Sequence, residues 1–154
     1  MATAPVEWMV EGYLTALERL LEVIRSGDAG DKETFLPLFE ALNWAASVDM
    51  FFIDNGRPIQ DDLLTGVRFA RNRVHHQWEL ALRRYDSPGV PMVHLATGSS
   101  RLIGPPPGFW WYWVDANQLP RGRQGGKNAY VARLAGKEAD TTLKALRPIF
   151  ERLI

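Results

Sequence analysis

The chain reads as a mainly α-helical protein, a bundle of about four helices with an irregular aromatic and proline-rich insert or small β-hairpin before the last one. Three observations predict this. Apolar residues recur at spacings of three and four in four separate stretches, and glycines and prolines punctuate the chain between them. The 23 residues from Asp86 to Gly108, with five prolines, four glycines and three serines, cannot form a helix. With 154 residues in all, one domain spanning 1–154 is expected.

The first helix is predicted over 5–25, where Val6, Met9, Val10, Tyr13, Leu14, Leu17, Leu20, Leu21 and Ile24 form one stripe that Gly27 ends. A second follows over 31–53, capped by Asp31 and running through Phe35, Leu38, Phe39, Leu42, Ala45, Ala46 and Phe52; Pro37 moves its start toward Leu36 or bends it. Asn55, Gly56 and Pro58 break the chain. A third helix is predicted over 61–85, with Asp61 and Asp62 at the end that favours acids and Arg83 and Arg84 at the end that favours cations. Residues 86–137 form the insert, with extended pieces expected at Val90 to Leu95 and Phe109 to Val114. A last helix over 138–154 carries Ala139, Leu143, Leu146, Ile149, Phe150 and Leu153, disturbed by Pro148.

Composition excludes several classes of function. No cysteine is present, so disulfides, thiolate metal sites and cysteine nucleophiles are out. No apolar run approaches the ~20 residues of a membrane span, and Glu7, Glu11 and Glu18 stand where a secretory signal needs a basic start, so a cytoplasmic, membrane-free protein is expected. The net charge of zero hides an asymmetry: residues 1–60 hold ten acids and four bases, and residues 61–154 hold eight acids and fourteen bases. The second part can face a polyanion, unless the two halves simply pack against each other.

Reactive side chains crowd on the third helix, where Arg68, Arg71, Asn72, Arg73, His75, His76, Glu79, Arg83 and Arg84 fall within 17 residues. Leu64, Val67, Val74, Trp78 and Ala81 share one side and form the expected core stripe. Roughly opposite lie Phe69, Asn72, His76 and Leu80, at steps of three, four and four. A polar pair framed by apolar residues predicts that this second face is covered too, by a two-fold copy of the helix or by the insert or last helix.

The string Arg71-Asn72-Arg73-Val74-His75-His76 resembles the signature of the HEPN superfamily, in which an arginine and a polar residue precede a histidine on a late helix of a small bundle. The resemblance covers the third helix only. It implies a homodimeric, metal-independent endoribonuclease, a toxin or phage-defence effector, with Arg71, Asn72 and His76 catalytic and an antitoxin or other protein as a further partner. No metal and no cofactor are expected. The tyrosine that some members carry two residues after the histidine is here Trp78, so control by modification of that tyrosine is not expected.

The residue types suit RNA cleavage. A 2′-hydroxyl must lose a proton and the leaving 5′-oxygen must gain one, and an imidazole titrates in the range that serves both transfers. Charge building on the phosphoryl oxygens is matched by the planar fork of Arg71. Asn72 orients either group, while Arg68, Arg73, His75, Arg83 and Arg84 are the candidates to hold the RNA strand. On an ideal helix Arg71 projects about 140° from His76, so its guanidinium must curl round or come from the partner chain.

Rival readings are weaker. His75, His76 and Glu79 with Asp61 or Asp62 lack the spacing of a metal site on a helix. Gly125-Gly126-Lys127 lacks the strand-to-helix context of a phosphate loop, and Ser99 and Ser100 lack a nucleophile elbow. Phe109 to Trp113 is either a strand buried on both sides or a plug over the bundle, or else a base-stacking strip beside the basic stretch Arg121, Arg123 and Lys127. The competing class is a catalytically inactive HEPN-like module that binds protein or RNA.

Overall fold

The computed structural model describes residues 4–87, 92–94, 98, 100–102 and 108–154. Its order is α1 (Val6–Arg25), α2 (Asp31–Asp54), α3 (Asp62–Gln77), β1 (Leu82–Ser87), β2 (Met92–His94), β3 (Ser100–Leu102), β4 (Gly108–Trp113), a short 3₁₀ turn at Ala116–Gln118, α4 (Lys127–Arg133) and α5 (Ala139–Glu151). The fold is mainly helical, and the described residues include two small antiparallel sheets, β1 with β4 and β2 with β3. Of the expected strand at Val90 to Leu95, Met92–His94 is seen and Val90, Pro91 and Leu95 lie outside the described residues, as does Ser99.

Helix α1 buries Val6, Val10, Tyr13, Leu17, Leu20, Leu21 and Ile24 of the stripe its periodicity defines, packing mainly against α2, and leaves Met9 and Leu14 half-buried. Helix α2 starts at Asp31 and runs straight through Pro37. Its N-cap is Gly30 rather than Asp31: Glu33 accepts a hydrogen bond from the Gly30 N–H at 3.1 Å, satisfying one of the donors a helix start leaves open. At 24 residues and a mean hydropathy of 1.2 in its most apolar window, α2 is long and apolar enough to cross a membrane by length and composition, although Glu40 and Asp49 interrupt its apolar stretch. Here it lies between α1 and α3, with Leu38, Ala41, Leu42, Ala45 and Val48 sealed between them. Each large side chain so buried contributes roughly 1.5–3 kcal/mol.

Helix α3 begins as predicted, with the Asp61 carboxylate accepting from the Leu64 N–H at 3.1 Å. It ends eight residues before the expected 85. Trp78 adopts the left-handed conformation (φ 56°) that stops a helix, and it is 70% exposed instead of lying in the core stripe. Arg83 and Arg84 therefore stand on a strand. The reason is long-range: Leu82 to Ser87 pairs residue by residue with Trp113 to Gly108, and the Val114 N–H donates to the Ala81 carbonyl at 2.9 Å. Pairing with an aromatic strand outweighs three further residues of apolar helical spacing.

The described residues of the insert hold more regular structure than its composition implies. β4 presents Trp111 and Trp113 inward, both buried, and leaves Phe109, Trp110 and Tyr112 half-exposed, so the aromatic run is a one-sided strand over the bundle. Helix α4, unforeseen within 86–137, crosses α3 at Gly66, where a Cβ would stand 2.7 Å from Leu134 Cδ1 and 3.2 Å from the Ala129 carbonyl. A side chain there would force Leu134 aside and push the Ala129 backbone back by a few tenths of an ångström.

Three buried aromatics join these layers through their polar tips. Tyr13 Oη donates to the Leu143 carbonyl, tying α1 to α5; Tyr130 Oη donates to the Val114 carbonyl, tying α4 to the end of β4; Trp113 Nε1 donates to Thr142 Oγ1, tying β4 to α5, each at 2.6 Å. Burial raises both phenols well above their ordinary pKa, so they stay donors at any working pH.

Candidate functional site

The second face of α3 is divided. Phe69 is buried under α4, its ring 5.2 Å from that of Tyr130, so this part is covered from within the chain. One and two turns further on, Asn72 and His76 are left open. They line a concavity of ≈ 420 Å³ together with Arg73, Gln77, Gly122 and Arg123. Its far wall is the loop between the 3₁₀ turn and α4.

Arg71 takes up the gap left by helix geometry by curling along the α2–α3 seam. Its Nε donates to Asn43 Oδ1 at 3.2 Å and its Nη1 to Asn72 Oδ1 at 3.4 Å. Asn43 is itself held by donating to the Phe39 carbonyl at 2.8 Å. Partial burial lowers the Arg71 pKa, but a guanidinium remains a cation at neutral pH.

His75 and His76 differ sharply in setting. His76 is exposed in the groove. His75 stacks on Phe39 (centroids 5.4 Å, 13°) with its Nδ1 buried and unpartnered among the described residues, and it meets the His76 ring edge-on at 4.9 Å. Burial, and then the charges of Arg71 and His76, push its pKa below 6.5. The folded state thus disfavours the proton that the unfolded chain accepts, so the stabilising effect of a neutral His75 is present above pH 6.5 and lost as pH falls through the lowered value. Urea titrations at pH 7 and pH 5 are expected to show a larger acid loss of stability for the natural chain than for His75→Phe, which keeps the stack on Phe39. Equal losses would remove His75 as the cause.

The remaining expected RNA-holding arginines are engaged elsewhere. Arg68 Nε donates to the buried Asp49 carboxylate at 2.5 Å and neutralises it. Arg73 is 4% exposed; its guanidinium lies 4.3 Å over the Phe69 ring and donates to the Arg123 carbonyl at 2.5 Å. Arg84 binds Asp86, the Gly27 carbonyl and the face of Phe109, while Arg83 reaches the Leu80 and Leu82 carbonyls and Glu79. Neither of the last two lines the groove. Asn43, Gln77 and Gly122 escaped sequence reasoning: an asparagine on an apolar helix and a glutamine beside two histidines carry no signal until α2 and the loop are in place.

Among the described residues no three histidine, aspartate or glutamate side chains cluster as a metal site would require. Comparison with family models, with curated proteins and with solved structures finds no match.

Proposed function

We propose that this protein is a metal-independent endoribonuclease acting as a cytoplasmic homodimer, in the manner of HEPN-like toxins and phage-defence effectors. The observation that carries the reading is that Asn72 and His76, one helical turn apart, open into one groove while Arg71 is hydrogen-bonded to Asn72 beside it. In this reading the His76 imidazole takes the proton of a 2′-hydroxyl as that oxygen attacks the adjacent phosphorus. The bond from phosphorus to the 5′-oxygen breaks, and the leaving oxygen takes a proton. Arg71 faces the charge that grows on the phosphoryl oxygens, and Asn72 fixes the position of Arg71.

A second imidazole for the leaving oxygen comes from a second copy. The side of α2 next to Arg71 and His75 supports this, because Leu36, Phe39, Asn43, Ser47, Met50 and Ile53 recur there at steps of three and four. Leu36 is 58% exposed and Met50 48%, and the exposed Trp78 extends the strip by stacking on Phe39 at 5.9 Å. Such a stripe on a helix is expected to be covered.

Two measurements test the proposal. Single-stranded RNA incubated with the protein in excess EDTA is expected to yield 2′,3′-cyclic phosphate ends while DNA of the same sequence stays intact. Solution mass is expected to be twice that of the chain and to fall to one copy in Met50→Asp. RNA that is bound without being cut would favour the binding module, and a strict monomer would remove the second imidazole.

A further inference from the structure

Resting on that reading, we propose that the strand is held by the 121–127 loop rather than by the arginines of α3, with Arg121, Arg123 and Lys127 binding successive phosphates of a single-stranded nucleic acid. The loop is pinned backbone-first to α3. Arg73 donates to the Arg123 carbonyl at 2.5 Å and Gln77 to the Arg121 carbonyl at 2.7 Å, so the two main-chain oxygens point inward and are satisfied. Between them Gly122 sits so close that a Cβ would stand 2.9 Å from Arg73 Nη1. Its lack of a side chain lets the loop lie flat on the guanidinium.

With the carbonyls turned in, the side chains of Arg121 and Arg123 are exposed. Among the described residues no carboxylate and no side-chain hydrogen bond engages Arg121, Arg123 or Lys127, whereas Arg68, Arg83 and Arg84 each have an acidic partner. Two concavities meet at Arg73 and Gly122. One holds Asn72 and His76; the other, of ≈ 570 Å³, holds Asn117, Arg121, Gln124 and Lys127. Among the described residues no acidic side chain lines either one. A track with unpaired cations, a floor in which Arg73 and Gln77 donate to main-chain carbonyls, and an imidazole at one end fits a phosphodiester chain.

The test separates holding from cutting by using 2′-O-methyl RNA, which lacks the attacking hydroxyl. Fluorescence anisotropy of a labelled 12-mer is expected to show tight binding by the natural chain and by His76→Ala at low salt. Arg121→Ala/Arg123→Ala is expected to bind roughly tenfold more weakly. Its slope of log affinity against log salt is expected to be about 1.4 shallower, since each single-strand phosphate contact contributes about 0.7. Unchanged thermal unfolding of the double variant shows that the loop is still pinned. Affinity and slope equal to those of the natural chain would overturn the loop assignment even if RNA is cleaved. Loop-dependent binding without cleavage would uphold it and sink the nuclease reading alone.

Discussion

Replacing His76 with alanine is expected to lower the rate of RNA cleavage by about 10²–10⁴, the range typical of removing a general acid or base. Because the side chain is exposed and makes no hydrogen bond among the described residues, the substitution leaves no buried group unpaired. Stability is therefore expected to stay within about 0.5 kcal/mol of the natural chain. That separation makes the experiment informative: a slow variant with an unchanged unfolding midpoint has lost chemistry, not structure. Arg71→Lys is expected to fall between the two, since lysine keeps the charge but not the fork that spans Asn43 and Asn72. Cleavage by His76→Ala at the natural rate would remove the imidazole from the reaction.

Replacing Trp113 with alanine is expected to destabilise the fold by about 3–5 kcal/mol, the usual range for deleting a buried aromatic. Trp113 is 1% exposed and packs edge-on to Tyr130 at 6.4 Å. It is also where three elements meet: it pairs with Leu82 on β1, its N–H donates to the Lys137 carbonyl at 3.0 Å, and its indole donates to Thr142. The main-chain bonds survive in alanine, so the loss measures the ring. Trp113→Phe is expected to cost less, because Thr142 Oγ1 still reaches the Glu138 and Ala139 carbonyls. Urea unfolding is the direct check, and a loss below about 1 kcal/mol for Trp113→Ala would show that β4 is not part of the cooperative core.

Much of the helical frame was legible because burial on one side of a helix writes its own period into the chain. Of the residues of α1 that the spacing selects, Val6, Val10, Tyr13, Leu17, Leu20, Leu21 and Ile24 are buried, Met9 and Leu14 are half-buried at the edge of the stripe, and the buried Ala16 was not selected. Asp61 was readable as a helix start because a carboxylate there satisfies a local N–H, a contact made within four residues. The site was only half legible. Asn72 and His76 could be placed on one outward face by counting, and they do share a groove. What that face meets could not be counted: Phe69 goes under α4, while Asn72 and His76 face the loop.

Where the sequence reading failed, the deciding contacts lie far apart in the chain. The stretch after Gln77 has helical spacing, yet Leu82 to Ser87 becomes a strand because Gly108 to Trp113 offers it a partner. Arg73 reads as a free cation on a basic helix, but Phe69 and the Arg123 carbonyl occupy it, and Arg68 is spent on Asp49. By itself, then, the sequence determined the helical class, the starts of the main helices and the outward pairing of Asn72 with His76, since each depends on neighbours within one or two turns. Tertiary structure alone decided which cations remain unpaired and which wall faces the imidazole. Charges and hydrogen bonds are satisfied by whatever lies within a few ångströms, and that is set by packing between segments some fifty residues apart.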